Sequence, residues 1–165
     1  AAKVGVVSIP ALKKGGRLII VANTTDQDQI GNPTYRTMIH LLKMVGAERF
    51  NQLILSPDWV FIPDQWQAQM WTKLFAKIPP ENLIYFSPPM PAKDYQIIPC
   101  RDGNLYLPPE QRYKGDLTAI PKVVSAAVAE EVERIRKEEG REATIAYLAD
   151  GPYGIPFLPE AGRSH

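Results

Sequence analysis

Cysteine and histidine are scarce: Cys100 stands alone, and His40 and His165 are the two histidines. A lone cysteine excludes an internal disulfide and points to a reducing, cytoplasmic setting. The same scarcity excludes a Cys/His zinc site, which needs several such ligands at short, fixed spacings. Long hydrophobic runs are missing too. The longest, near Leu18–Ala22 and Val123–Ala129, fall far short of the ~20 residues a membrane span requires. Charge of one sign is not in excess: 19 basic against 18 acidic residues give a net charge of +1. That balance gives no electrostatic case for a nucleic-acid or acidic-membrane partner. No Gly-x-Ser-x-Gly turn marks a serine nucleophile. Gly15-Gly16 precedes an apolar run, whereas a phosphate-cradling loop follows a strand and opens a helix.

What is present fits a single α/β domain over residues 1–165, with 45% hydrophobic and 22% charged residues. The 16 prolines mostly punctuate the periodic segments. The β-branched run after Gly15-Gly16 predicts a buried strand over Arg17–Asn23. Asn32 as N-cap and Pro33 at the first helical position predict a helix that Gly46 stops. Leu53–Leu55 is compatible with either a strand or a helix. Asp64, with Gln67 three residues on, predicts a helix start; Met70, Trp71, Leu74, Phe75 and Ile78 supply its apolar stripe to Pro79. Leu83–Ser87 is the second predicted strand. Residues 90–116 read mainly as loop, with a short strand at Ile97–Ile98. Thr118 to Glu139 reads as a long helix with Ile120, Val124, Ala127, Val128, Val132 and Ile135 on one face. Ala143–Leu148 reads as the third strand. Strands that are unbroken apolar runs alternating with helices predict a three-layer sandwich with a mostly parallel sheet, Rossmann-like.

In such sheets ligands sit beyond the carboxyl ends of the strands. Three segments qualify: Asn23–Gln29, Ser87–Pro91 and Asp150–Ile155. Asp26 lies in the first. Trp66, beside Gln65 in the first turn of its helix, is compatible with core packing or with a pocket wall. His40 reads as structural or solvent-facing, Cys100 as a spectator, and the charged end of the long helix as a solvated face with i,i+4 pairs. A chain opening at Ala1-Ala2-Lys3-Val4, without cap or turn signal, is expected to be a piece of a longer protein.

The segment Ile62-Pro63-Asp64-Gln65-Trp66-Gln67-Ala68-Gln69 resembles the Pro-Asp-Gln-Trp-x-Ala-Gln segment of the lactate racemase family, whose enzymes use a nickel-pincer nucleotide. The order around it is similar as well: Gly-Gly before an apolar strand, a loop and helix, this motif, a strand, a helix, and a last apolar run leading to Asp150-Gly151. The likeness covers the C-terminal domain of a two-domain enzyme. It implies a role for Lys3, which stands twelve positions before Gly15 and matches the lysine of the family's Gln-x-x-Lys motif. It also implies that Trp66 lines the pocket over cofactor and substrate, with Gln65 and Asp26 nearby. The cofactor-bearing lysine, the nickel ligand and the acid–base histidines would belong to an N-terminal domain, so no metal ligand and no bound cofactor are expected on this chain. Thr25-Asp26-Gln27-Asp28-Gln29 departs from the family's glycine-rich loop, which leaves the identity of the 2-hydroxy acid open. The resemblance thus implies a racemase or epimerase domain, inactive alone, whose partners are its own N-terminal domain and a small 2-hydroxy acid. The alternative reading is a non-catalytic α/β module that binds a small ligand.

Overall fold

The computed structural model of the chain describes residues 2–24, 30–149 and 151. Its helices are α1 (Ala2–Ser8), α2 (Pro33–Val45), α3 (Ala47–Ile54), α4 (Gln65–Phe75), α5 (Ala92–Tyr95) and α6 (Ile120–Glu139). Its strands are β1 (Leu18–Val21), β2 (Leu83–Phe86) and β3 (Arg101–Asp102). They form one parallel sheet in the order β1-β2-β3, with Leu18 opposite Leu83 and Tyr85 opposite Asp102. The protein is therefore mixed α/β with a small parallel sheet.

Alternation along the strands divides the core. Ile20, Leu83 and Tyr85 enter a large cluster with Met38 and Leu42 of α2, Phe50 of α3, and Trp71 and Leu74 of α4. Phe86 enters a smaller cluster with Leu107 and with Val123 of α6, joined by Val21. Each fully buried aliphatic or aromatic side chain contributes roughly 1.5–3 kcal/mol, so the first cluster carries most of the apolar stabilisation. The central strand β2 is buried throughout, whereas Leu18, Ile19 and Val21 of β1 are only half-buried. Among the described residues β1 pairs with β2 alone.

Parallel pairing obliges the chain to return from the carboxyl end of β1 to the amino end of β2. The helix α4 makes the final descent, and a short 3-10 turn at Pro80–Asn82 leads from it into β2. The start of α4 therefore lies at the carboxyl edge of the sheet. Gly15, just ahead of β1, donates its backbone N–H to the Lys77 carbonyl at 2.9 Å and accepts from Asn82 Nδ2 at 2.9 Å. These bonds fix the opposite, amino edge.

Leu53 and Ile54, for which the sequence left strand and helix both open, belong to the helix α3, with Phe50 and Ile54 buried on its inner face. Several sequence expectations need correction. No strand forms at Ile97–Ile98; the third strand is Arg101–Asp102, too short and too polar to show an apolar pattern. The helix α4 ends at Phe75 because the last turn tightens onto the Leu74 carbonyl, which accepts from Lys77 N at 2.8 Å and Ile78 N at 3.0 Å. Thr118 is not the N-cap of α6. Asp116 caps a 3-10 turn at Leu117–Ala119, accepting from Thr118 N at 2.8 Å, and α6 begins at Ile120. The buried stripe of α6 is Val123, Ala127 and Glu131; of the expected face Ala127 is buried as foreseen, while Ile120, Val124, Val128, Val132 and Ile135 are half-buried beside it. The helix α1 had no signal in the sequence.

Residues 143–148 do not form a strand. Ile145 is 64% and Tyr147 88% exposed. An apolar run becomes a strand only when a neighbouring backbone accepts its hydrogen bonds, and here Glu142 is drawn back onto Arg136 at 3.2 Å. No helix among the described residues is long and apolar enough to cross a membrane.

Candidate functional site

The carboxyl edge is built from polar groups that the strands deliver there. Past β1, Thr24 Oγ1 lies 2.6 Å from Ser87 Oγ, past β2. Ser87 is fully buried; its backbone N–H donates to Tyr95 Oη at 2.9 Å, and Tyr95 Oη donates to the Ser87 carbonyl at 3.1 Å. Burial pushes the Tyr95 phenol far above its ordinary range. These hydroxyls close the strand ends as a neutral, satisfied layer.

Beside this layer the starts of α2 and α4 meet. Asn32 caps α2, its Oδ1 accepting from Tyr35 N at 2.9 Å, as the sequence implied. Its amide Nδ2 donates to Asp64 Oδ2 at 2.5 Å. Asp64 precedes α4 with φ at 65°, a left-handed conformation that costs a non-glycine residue of order 1 kcal/mol. Its carboxylate makes no capping bond to the α4 backbone; it accepts from Asn32 and from Gln67 Nε2 at 3.1 Å instead. The expected cap position is thus occupied, with side chains in place of the backbone partners.

Gln65 is buried, and its Oε1 accepts two hydrogen bonds at 2.9 Å, one from Trp59 Nε1 and one from Ile62 N. That oxygen is committed to holding the loop between α3 and α4. The clamped loop leaves Val60 and Phe61 79% and 69% exposed, and Trp66, in the first turn of α4, is 49% exposed. The Trp66 indole is therefore half in solvent at the carboxyl edge. Trp71, one turn further, faces the core and donates from Nε1 to Tyr35 Oη at 2.9 Å. Burial raises the Tyr35 phenol, opposed by that bond and reinforced by the nearby Asp64 carboxylate.

Of the residues singled out in the sequence, Gln65 and Trp66 stand together at the start of α4. Lys3 is exposed on α1, a helix that packs on α4 where Gly5 approaches Leu74 and Trp71. Asp26 lies outside the described residues, as do Asp150 and His165. His40 is exposed on α2, away from this cluster. The segment Ser87–Pro91 does reach the edge, through Ser87. The exposed pair Val60-Phe61 was not anticipated. Its trace in the sequence is the run Trp59-Val60-Phe61-Ile62 between two helices, apolar residues belonging to neither helical stripe.

Elsewhere a concavity of about 360 Å³ is lined by Cys100, Arg101, Asp102, Leu105, Tyr106 and Glu130. Its polar groups are already engaged. Arg101 pairs with Glu130 and Glu131 and donates to Tyr106 Oη at 2.9 Å. Asp102 accepts from Tyr113 Oη at 2.6 Å and from Asn104 N at 2.8 Å. Desolvation pushes the Cys100 thiol up to about 12, so it is protonated and unreactive near neutral pH. The carboxyl edge around Trp66, with an exposed aromatic surface on a fixed frame, is the better candidate. Compared with models of known protein families, with curated proteins and with solved structures, the chain matches none of them.

Proposed function

We propose that this chain is the pocket-forming C-terminal domain of a lactate racemase-like enzyme, a racemase or epimerase of 2-hydroxy acids. The observation that carries the reading is Trp66. The tryptophan of the Pro-Asp-Gln-Trp-x-Ala-Gln motif is half-exposed on a clamped helix start at the carboxyl edge, where α/β sheets take their ligands. In this reading the fold is a three-layer, Rossmann-like sandwich in the cytoplasm. Its partners are its own N-terminal domain and a small 2-hydroxy acid, not nucleic acid or membrane.

The chain's own residues do not suit a nickel site. His40 stands alone on α2, the Cys100 thiol is held protonated, and no His, Cys, Asp and Glu side chains gather into a metal-binding group among the described residues. In this reading the cofactor and its ligands belong to the companion domain. When bound, that cofactor supplies a hydride acceptor for C2 of the substrate. Trp66 walls the cleft with an apolar surface that excludes water. Lys3 offers a positive charge to the substrate carboxylate. Gln65 and Asp64 hold Trp66 in place by fixing the loop and the helix start. Removal of the hydroxyl proton falls to histidines of the companion domain.

The test pairs this chain with the cofactor-loaded N-terminal domain of a lactate racemase and follows interconversion of D and L forms of several 2-hydroxy acids by chiral chromatography. Turnover is expected from the pair and not from either part, with Trp66→Ala lowering kcat/KM by at least about tenfold, an apolar wall of this size contributing more than 1.4 kcal/mol. Absence of both association and turnover overturns the reading. Saturable binding of a 2-hydroxy acid by the chain alone, unaffected by Trp66→Ala, supports the small-ligand module in its place.

A further inference from the structure

Among the described residues two segments lack a strand partner: the outer edge of β1 and the run 143–148. An exposed strand edge is a template for another strand, and free proteins normally blunt it with charge, proline or a covering segment. The β1 edge has none of these among its own residues, Leu-Ile-Ile-Val. The run Ala143-Thr144-Ile145-Ala146-Tyr147-Leu148 carries no charge and no proline, and is long enough to span the four residues of β1.

Ion pairs set the place where this run begins. Arg17, the residue before β1, is bound by the last turns of α6: Nε lies 3.1 Å from Glu131 Oε2, and Nη2 lies 2.8 Å from Glu138 Oε2. The end of α6 therefore sits beside the amino end of β1. Gly140 stops the helix with φ at 63°, a left-handed position that suits glycine. Beyond it Glu142 is held against α6. Both nitrogens of the Arg136 fork reach Glu142, at 3.3 and 3.2 Å, and Arg136 belongs to the exposed face of α6, opposite the Val123–Ala127–Glu131 stripe. The run that follows leaves Ile145 and Tyr147 exposed to solvent.

We propose that the edge of β1 binds residues 143–148 of a second copy of this chain, the two copies exchanging strands reciprocally. Each sheet then gains a fourth, parallel strand, and Ile145 and Tyr147 leave water. Each chain carries both the strand and its acceptor edge, joined by a short hinge at Gly140–Glu142, an arrangement that favours exchange between identical copies.

The experiment is light scattering of the 165-residue chain over a range of concentrations, with amide exchange read at Leu18–Val21. A concentration-dependent dimer is expected, with slow exchange at β1. Ile145→Pro removes a backbone donor from the exchanged strand and is expected to raise the dimer dissociation constant at least about tenfold. Position 145 is exposed and unpaired within its own chain, so the variant's circular dichroism and melting as a monomer stay unchanged. Tyr147→Lys provides a second variant with the same expected direction. A monomer at every concentration overturns the proposal, whether β1 is protected, because the chain's own run closes the edge, or unprotected. A dimer indifferent to both substitutions overturns it as well.

Discussion

Glu131 is the charged residue that the fold buries most completely on α6, and three arginines explain how it is tolerated. Its side chain is 5% exposed and is met by Arg17 at 3.1 Å, Arg134 at 3.1 Å and Arg101. The helix needs this ring because the apolar cluster beneath it has only Phe86, Leu107 and Val123 fully buried. Removing one member of a buried pair leaves an uncompensated charge, a larger loss than the net worth of the pair. Glu131→Ala is therefore expected to cost about 3–5 kcal/mol, seen as a lower urea midpoint with an unchanged slope. A loss below about 1 kcal/mol would show that the ring is solvated. Gln65 gives a smaller case. Truncating it strands the Trp59 indole N–H and the Ile62 N–H. Gln65→Ala is expected to cost about 1–3 kcal/mol and to shift tryptophan emission to the red as the loop loosens. Emission identical to that of the parent chain would contradict the clamp.

At the scale of elements, β3 depends on a close approach rather than on side-chain burial. Gly103 follows it, and a Cβ built there would lie 2.6 Å from Phe86 Cβ and 3.0 Å from the Tyr85 carbonyl oxygen. These neighbours belong to the central strand and cannot yield without parting β2 from β3. Gly103→Ala is expected to destabilise by at least about 2 kcal/mol and to speed amide exchange at Arg101 and Asp102; an unperturbed variant would mean that the pairing adjusts freely. Such tertiary contacts mark where sequence reading stops. The strands β1 and β2, the helix α2 with its Asn32-Pro33 start and Gly46 stop, and the end of α6 at Gly140 were all legible, because cap chemistry and apolar period are local. The strand β3 was not, since two polar residues carry no period. The run 143–148 was over-read, since its composition suits a strand but pairing is decided elsewhere. Around the candidate site, the motif located Trp66, yet its exposure follows from the Gln65 clamp, a contact that no spacing rule announces. The burial of Glu131 in the α6 stripe has the same origin: it faces inward only because Arg17 and Arg101 arrive from other elements.

For the molecule as a whole, the buried hydroxyls and the thiol set a pH response that is lopsided toward base. Burial raises Cys100 from 9.0 to about 12, and raises Tyr106 and Tyr113 from 10.0 to about 12; Tyr85 and Tyr95 are driven higher still. Each of these groups is neutral when protonated, so the folded state keeps its proton after the unfolded chain has lost it. Well below pH 9 both states hold the proton and these groups leave stability unchanged. Above pH 9 the unfolded state binds fewer protons, and stability falls as pH rises until the folded pKa is passed. The cysteine titrates first in the unfolded chain, so it governs the start of the decline, at up to about 1.4 kcal/mol per pH unit. Among the described residues the lowered carboxyls, Asp116 and Glu142, are fully exposed and respond through screened surface contacts. Urea unfolding at pH 8, 9, 10 and 11 measures the effect, with Cys100→Ala as the comparison. The two proteins are expected to run parallel up to about pH 8 and then diverge, the variant losing stability more slowly between pH 9 and 11. Parallel curves across the whole range would mean that water reaches the sulfur, and the core beside β3 would then be more open than its packing implies.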